Sequence, residues 1–219
     1  MVKRILVLVE GQTEENFVKR ILSSYFFAKN IYLKPTIITT KRVLRGIDHK
    51  DGVNSYKQVR NDLFPLLNDS SADIITTMID YYALPSDFPG YNNRPNSSCY
   101  KRVEFMENEF SKNIDNHKFV AYMQLHEVES LVFAEYKKLA DVFIDKSSKL
   151  RKVEEIYNSY NSPEEINENP ESAPSKRLKN IFSNYQKVLH SQLVLENSNI
   201  DEIRKSCPHF NSWLINLES

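Results

Sequence analysis

A chain of 219 residues, 41% of them hydrophobic and 26% charged, is long enough for one substantial domain or a domain with an appendage, and too apolar to be disordered. Lysine plus arginine and aspartate plus glutamate balance at 29 each, so overall basicity gives no argument for nucleic acid, and only a local basic groove would. Two cysteines, Cys99 and Cys207, exclude a disulfide scaffold and a zinc knuckle, and no run approaches the roughly 18 apolar residues of a membrane span. Without a signal-type apolar core at its start, the chain reads as cytoplasmic.

Residues 5–9 (ILVLV) predict a strand covered on both faces, as in a parallel α/β sheet. The run stops at Glu10 and Gly11. Thr13 then serves as a helix N-cap, with Phe17, Val18, Ile21 and Leu22 at helical spacing behind it. Ligands of such sheets sit beyond the carboxyl ends of the strands, so Glu10 stands where chemistry is expected and Glu14, one helical turn onward, faces the same space. Residues 34–40 (KPTIITT) predict a second strand, and residues 41–52 a loop whose Lys41, Arg42, Arg45, His49 and Lys50 form a basic cluster suited to phosphate. Asn54 or Ser55 caps a helix through Leu67.

Residues 73–79 (DIITTMI) are a further strand, and it too ends on a carboxylate, Asp80. If the two strands are neighbours, Glu10 and Asp80 come together, and paired carboxylates call for a cation. An all-oxygen set favours Mg²⁺ or Mn²⁺ over zinc. Residues 81–98, with three prolines, predict a long loop whose Tyr81, Tyr82 and Tyr91 are available to stack on bases. A helix over residues 100–114 and a strand over 119–125 follow, and this strand end carries His126, Glu127 and Glu129. From residue 135 onward only helices are expected, over 135–144, 149–160, from Ser175, from Asn199 and from Pro208, with residues 161–174 a linker or surface loop. The chain therefore divides into an α/β domain, residues 1–134, and a helical region, residues 135–219, packed on it.

Five stretches carry a resemblance: LVEGQTEENFV (residues 8–18), the LP…PG loop (84–90), QLHEVESLVF (124–133), PESAPSKRL (170–178) and CPHFNSWLINLE (207–218). Together they resemble the DUF4276 proteins, a bacterial family of unknown function that looks like single-domain TOPRIM nucleases. The resemblance implies a TOPRIM-like three-layer fold with a central, mostly parallel sheet and a helical C-terminal extension. Glu10 would match the glutamate after the first TOPRIM strand, as general base or metal ligand, Glu14 the additional glutamate of overcoming-lysogenization-defect (OLD) nucleases, and Asp80 the first aspartate of an aspartate-x-aspartate pair. The second aspartate is replaced by Tyr82, a poor Mg²⁺ ligand. Either Glu127, Glu129 or Asp87 completes the site, or its metal chemistry is weakened.

A working site would use Glu10, Asp80, His126 and Lys176 as catalytic groups, with Arg177 beside Lys176. Glu10, Glu14, Asp80, Glu127 and Glu129 would bind Mg²⁺ or Mn²⁺ for phosphodiester hydrolysis of DNA or RNA. The resemblance also implies an ABC- or AAA-type ATPase partner and a role in defence against phage or plasmids. Two other readings stand beside it: a non-catalytic module that binds nucleic acid, nucleotide or a partner ATPase, and a phosphotransfer or nucleotide-hydrolysing enzyme using the same acidic edge. No residue fixes an oligomeric state.

Overall fold

The computed structural model describes residues 2–39, 53–82, 84–143, 147–167 and 170–219. Five strands, β1 (Lys3–Val9), β2 (Ile31–Ile37), β3 (Ile74–Asp80), β4 (Phe119–Val120) and β5 (Met123–Gln124), form one sheet in the order β2-β1-β3-β4, with β5 also on β3. All pairs are parallel. After β1 the chain moves to one side for β2 and returns past β1 for β3. The order therefore reverses between β1 and β3, the topological switch point where α/β sheets open a crevice. Glu10 and Asp80 stand at the two lips of that crevice.

Both faces of β1 are buried because helices cover both. Ile5, Val7 and Val9 join one apolar cluster and Leu6 and Leu8 the other. On the second face lie α3 (Tyr56–Leu67) and α4 (Cys99–Ile114), whose Val59, Leu63, Val103, Met106 and Phe110 are fully buried. The first face carries α1 (Gln12–Asn16), which continues through a π-helical stretch, Phe17–Leu22, into α2 (Ser23–Phe27). Also in that cluster are residues of α5 (Glu129–Ala134), α6 (Leu139–Val142), α7 (Ser147–Tyr157), α8 (Pro174–Ile181), α9 (Lys187–Glu196), α10 (Ile200–Ser206) and α11 (Pro208–Glu218). The result is the expected α/β fold of three layers, a mostly parallel sheet between helices, with C-terminal helices packed on it.

Several elements differ from their sequence reading. The second strand begins at Ile31 rather than residue 34, and it tolerates Pro35 because β2 is an edge strand. The helix after Gly11 starts at Gln12, with Gly11 rather than Thr13 at the N-cap. The Glu14 carboxylate reaches back to accept the Gly11 N–H at 2.9 Å. The strand over 119–125 is split: its register against β3 is the same on both sides of the break, but at the break Thr77 Oγ1 donates to the Tyr122 carbonyl at 2.8 Å and accepts the Tyr122 N–H at 3.1 Å. The side chain replaces the ladder for one step. Of the helix expected over 135–144, the described residues 135–143 give only a 3₁₀ turn, Tyr136–Lys138, and α6, and α8 begins at Pro174 with Ala173 at the N-cap.

Within 161–174 the described residues are largely packed rather than a surface linker, since Ser162, Pro163, Glu164, Ile166, Asn167 and Ala173 are buried. Helix α9 had no sequence counterpart, because its Val188, Leu189, Leu193, Val194 and Leu195 do not form one clean stripe. Loop 81–98 is anchored too: Phe88 packs edge-on against Tyr56 and Phe110, and Tyr81 is in the core, which removes it from any base-stacking role. The basic cluster of residues 41–50 lies outside the described residues.

Candidate active site

Three strand ends and one helix start deliver carboxylates to the crevice. Val9 pairs with Met78, so Glu10 follows β1 directly beside the last residues of β3. The Glu10 N–H donates to the Met78 carbonyl at 3.2 Å, and its carboxylate accepts the Asp80 N–H at 2.9 Å. The neighbouring pairing of Asp80 with Gln124 brings the end of β5, and with it Glu127 and Glu129, to the same place. Glu14 enters from the first turn of α1.

A cation that the sequence reading did not single out sits among them. Lys187 Nζ, at the first residue of α9, lies 3.5 Å from Asp80 Oδ2, 3.4 Å from Glu127 Oε1 and 3.3 Å from Glu129 Oε2. Glu127 is clamped by the start of α8, accepting the Ser175 N–H at 3.0 Å and the Ser175 hydroxyl at 2.9 Å. Glu129, fully buried, accepts the Ser191 hydroxyl of α9 at 3.1 Å, and Ser191 in turn meets Tyr185 Oη at 2.8 Å. No local pattern marks Lys187 or Ser191; only the long-range packing of α9 brings them in.

The electrostatics follow from four buried carboxylates and the half-buried Glu10 gathered against one ammonium. Burial, then the Glu14 charge, pushes Glu10 up to about 7. Burial also raises Glu129 to about 7 against the pull of Lys187, and it raises Glu14 and, further, Asp80. The same carboxylates hold Lys187 protonated, well above an ordinary lysine, despite its burial. Asp80 Oδ1 is buried without a hydrogen-bond partner among the described residues. An excess of anionic oxygen with an unsatisfied oxygen inside it is the donor chemistry of Mg²⁺ or Mn²⁺, so the residues fit such an ion. Among the described residues no three His, Cys, Asp or Glu side chains are gathered as a ligand set as they stand.

The other expected site residues fall elsewhere. His126 adopts a left-handed backbone, φ 66°, and its ring is buried beside Arg102, Glu127 and the Glu164 backbone. Burial, then Arg102, lowers its pKa to about 4, so it is a neutral imidazole at physiological pH. Lys176 turns to Glu171 at 3.5 Å on the surface, and Arg177 donates to the Ser172 carbonyl and Tyr160 Oη, away from the carboxylates. Asp87 accepts the Tyr56 N–H with both oxygens at 3.0 Å, serving the start of α3. Tyr82 follows Asp80 and is half-buried.

Among the described residues no helix is long and apolar enough to cross a membrane. Set against known proteins, residues 9–218 match the family model described as "Domain of unknown function (DUF4276)". No curated protein and no solved structure matches.

Proposed function

The chain belongs to the DUF4276 family, and from its sheet edge we propose a metal-dependent phosphodiester hydrolase acting on nucleic acid, DNA or RNA. One observation carries the reading: the ends of β1, β3 and β5 bring Glu10, Asp80, Glu127 and Glu129 together at the switch point, with Glu14 from α1 beside Glu10. Those five carboxylates would hold Mg²⁺ or Mn²⁺, which when bound supplies Lewis acidity for the attacking water and the leaving oxygen.

The chain's own groups then have separate tasks. Glu10 accepts the proton of the attacking water as general base. Its orientation is fixed by the Asp80 N–H. The water oxygen forms the new bond to phosphorus, the bond to the leaving oxygen breaks, and that oxygen takes a proton from solvent. Ser175 and Ser191 hold Glu127 and Glu129 in place. Glu127 and Glu129 take the place of the aspartate that Tyr82 replaces.

From the motif resemblance to OLD-type TOPRIM nucleases alone, we further propose an ABC- or AAA-type ATPase partner and a role in defence against phage or plasmids. Two free cysteines are in keeping with a cytoplasmic setting. The test is cleavage of plasmid and single-stranded substrates in Mn²⁺ and in Mg²⁺ by wild type beside Glu10→Ala and Asp80→Ala. Metal-dependent cleavage should fall by at least about 100-fold in both variants. Cleavage unaffected by either substitution would overturn the assignment, and metal binding without cleavage in the wild type would make the edge a binding module.

A further inference from the structure

Lys187 occupies the centre of the carboxylate cluster, yet it is loosely held. Its three contacts, 3.3–3.5 Å, are all longer than the ~2.8 Å of a good charge-assisted hydrogen bond. One ammonium is spread over three carboxylates and satisfies none of them fully. Asp80 Oδ1 and Glu129 Oε2 both lack a hydrogen-bond partner among the described residues.

The two sides of this arrangement also differ in freedom. The side chains of Asp80, Glu127 and Glu129 are 11%, 11% and 0% exposed, and Ser175 and Ser191 clamp the last two. The Lys187 side chain is 36% exposed, with a flexible four-carbon stem rooted at the first residue of α9. The carboxylates are buried and two of them are clamped, whereas the lysine side chain is partly open to solvent.

We propose that Lys187 is a resident counter-ion which a divalent cation displaces: the metal-free site is closed by the lysine, and metal entry swings the ammonium outward from Asp80, Glu127 and Glu129. The inference rests on the metal-dependent reading above and adds an exchange of cations to it. The lysine keeps the unliganded carboxylates from repelling one another apart. It also sets the affinity for metal, because the incoming ion must first displace an ammonium from the same oxygens. Once swung out, the ammonium stands at the mouth of the crevice, where an anionic backbone would approach.

Two measurements on the full chain test the exchange. The first is calorimetric titration with Mn²⁺ of wild type and Lys187→Met, which keeps the stem and removes the charge. The variant should bind Mn²⁺ about tenfold or more tightly, with a lower melting temperature in chelator and a larger rise on adding metal. The second needs no variant: reductive methylation of wild type read by mass spectrometry, with and without Mg²⁺. Labelling of Lys187 should increase several-fold with Mg²⁺ while the surface lysine Lys112 is unchanged. Equal or weaker Mn²⁺ affinity in a folded Lys187→Met, or labelling of Lys187 that is unchanged or lower with Mg²⁺, overturns the exchange while wild-type metal binding leaves the hydrolase reading in place. Absence of metal binding by both proteins overturns the two together.

Discussion

Glu10 and Glu129 each titrate at about 7 in the folded chain because burial disfavours their charged forms, against an ordinary value of 4.5. Between pH 4.5 and 7 the folded chain therefore holds protons that the unfolded chain has released, and stability falls as pH rises through that window. Glu14 and Asp80 shift in the same direction. His126 acts oppositely: burial lowers it from 6.5 to about 4, so between those values the unfolded chain binds the extra proton and stability rises with pH. His190 is lowered as well, while Glu135, Glu164 and His209 are raised like the four site carboxylates, so the shifts that favour low pH outnumber the two histidines. In chelator, the melting temperature should be lower at pH 8 than at pH 5.5 by roughly 5 °C or more. Glu129→Gln, which can still accept from Ser191, should shrink that difference; scanning calorimetry at the two pH values decides it. A melting temperature that climbs over this range would mean that these carboxylates are solvated.

At the scale of elements, the least expected device is the start of α11. The buried Glu164, in the stretch 161–174, accepts the His209 and Phe210 N–H groups at 2.9 and 2.8 Å. Glu107 of α4 holds His209 Nε2 at 3.0 Å and also accepts the Met123 N–H at 2.7 Å, so α11 is tied to β5 through this one carboxylate. Glu164→Ala strands two buried donors and should cost about 2–3 kcal/mol, read from denaturant midpoints. The same case shows what a sequence conceals. The strands of the switch point were legible because each is an apolar run that stops at one carboxylate, and period and punctuation are local signals. Glu164 was not, since Pro163, Asn167 and Glu165 around it read as loop composition and only the distant helix start gives it a partner. His126 was legible as a residue at a strand end, but not as a ring buried beside Arg102. Lys187 was invisible for the reason that hid α9, an apolar helix without a stripe.

For the whole molecule, the boundary at residue 134 marks a change of pattern rather than a separable core. Phe17 packs against Phe210, and Trp213 stacks on Tyr122 at 4.1 Å while donating to Thr76 Oγ1 of β3 at 2.9 Å. One apolar cluster runs from Ile5 and Val7 of β1 to Trp213 and Leu217 of α11. A fragment of residues 1–134 would expose that face of the sheet and lose Lys187. It should be recovered as aggregate or lack a cooperative melting transition, whereas residues 1–219 melt in one step; sedimentation and calorimetry of the two distinguish the outcomes.

The lysine's place in the chain, after every carboxylate it neutralises, also sets an order of events. A ribosome releases Glu10, Glu14, Asp80, Glu127 and Glu129 before it reaches codon 187. Until α9 emerges, those carboxylates are without their internal ammonium. The site therefore gains its internal ammonium only when the last part of the chain has folded.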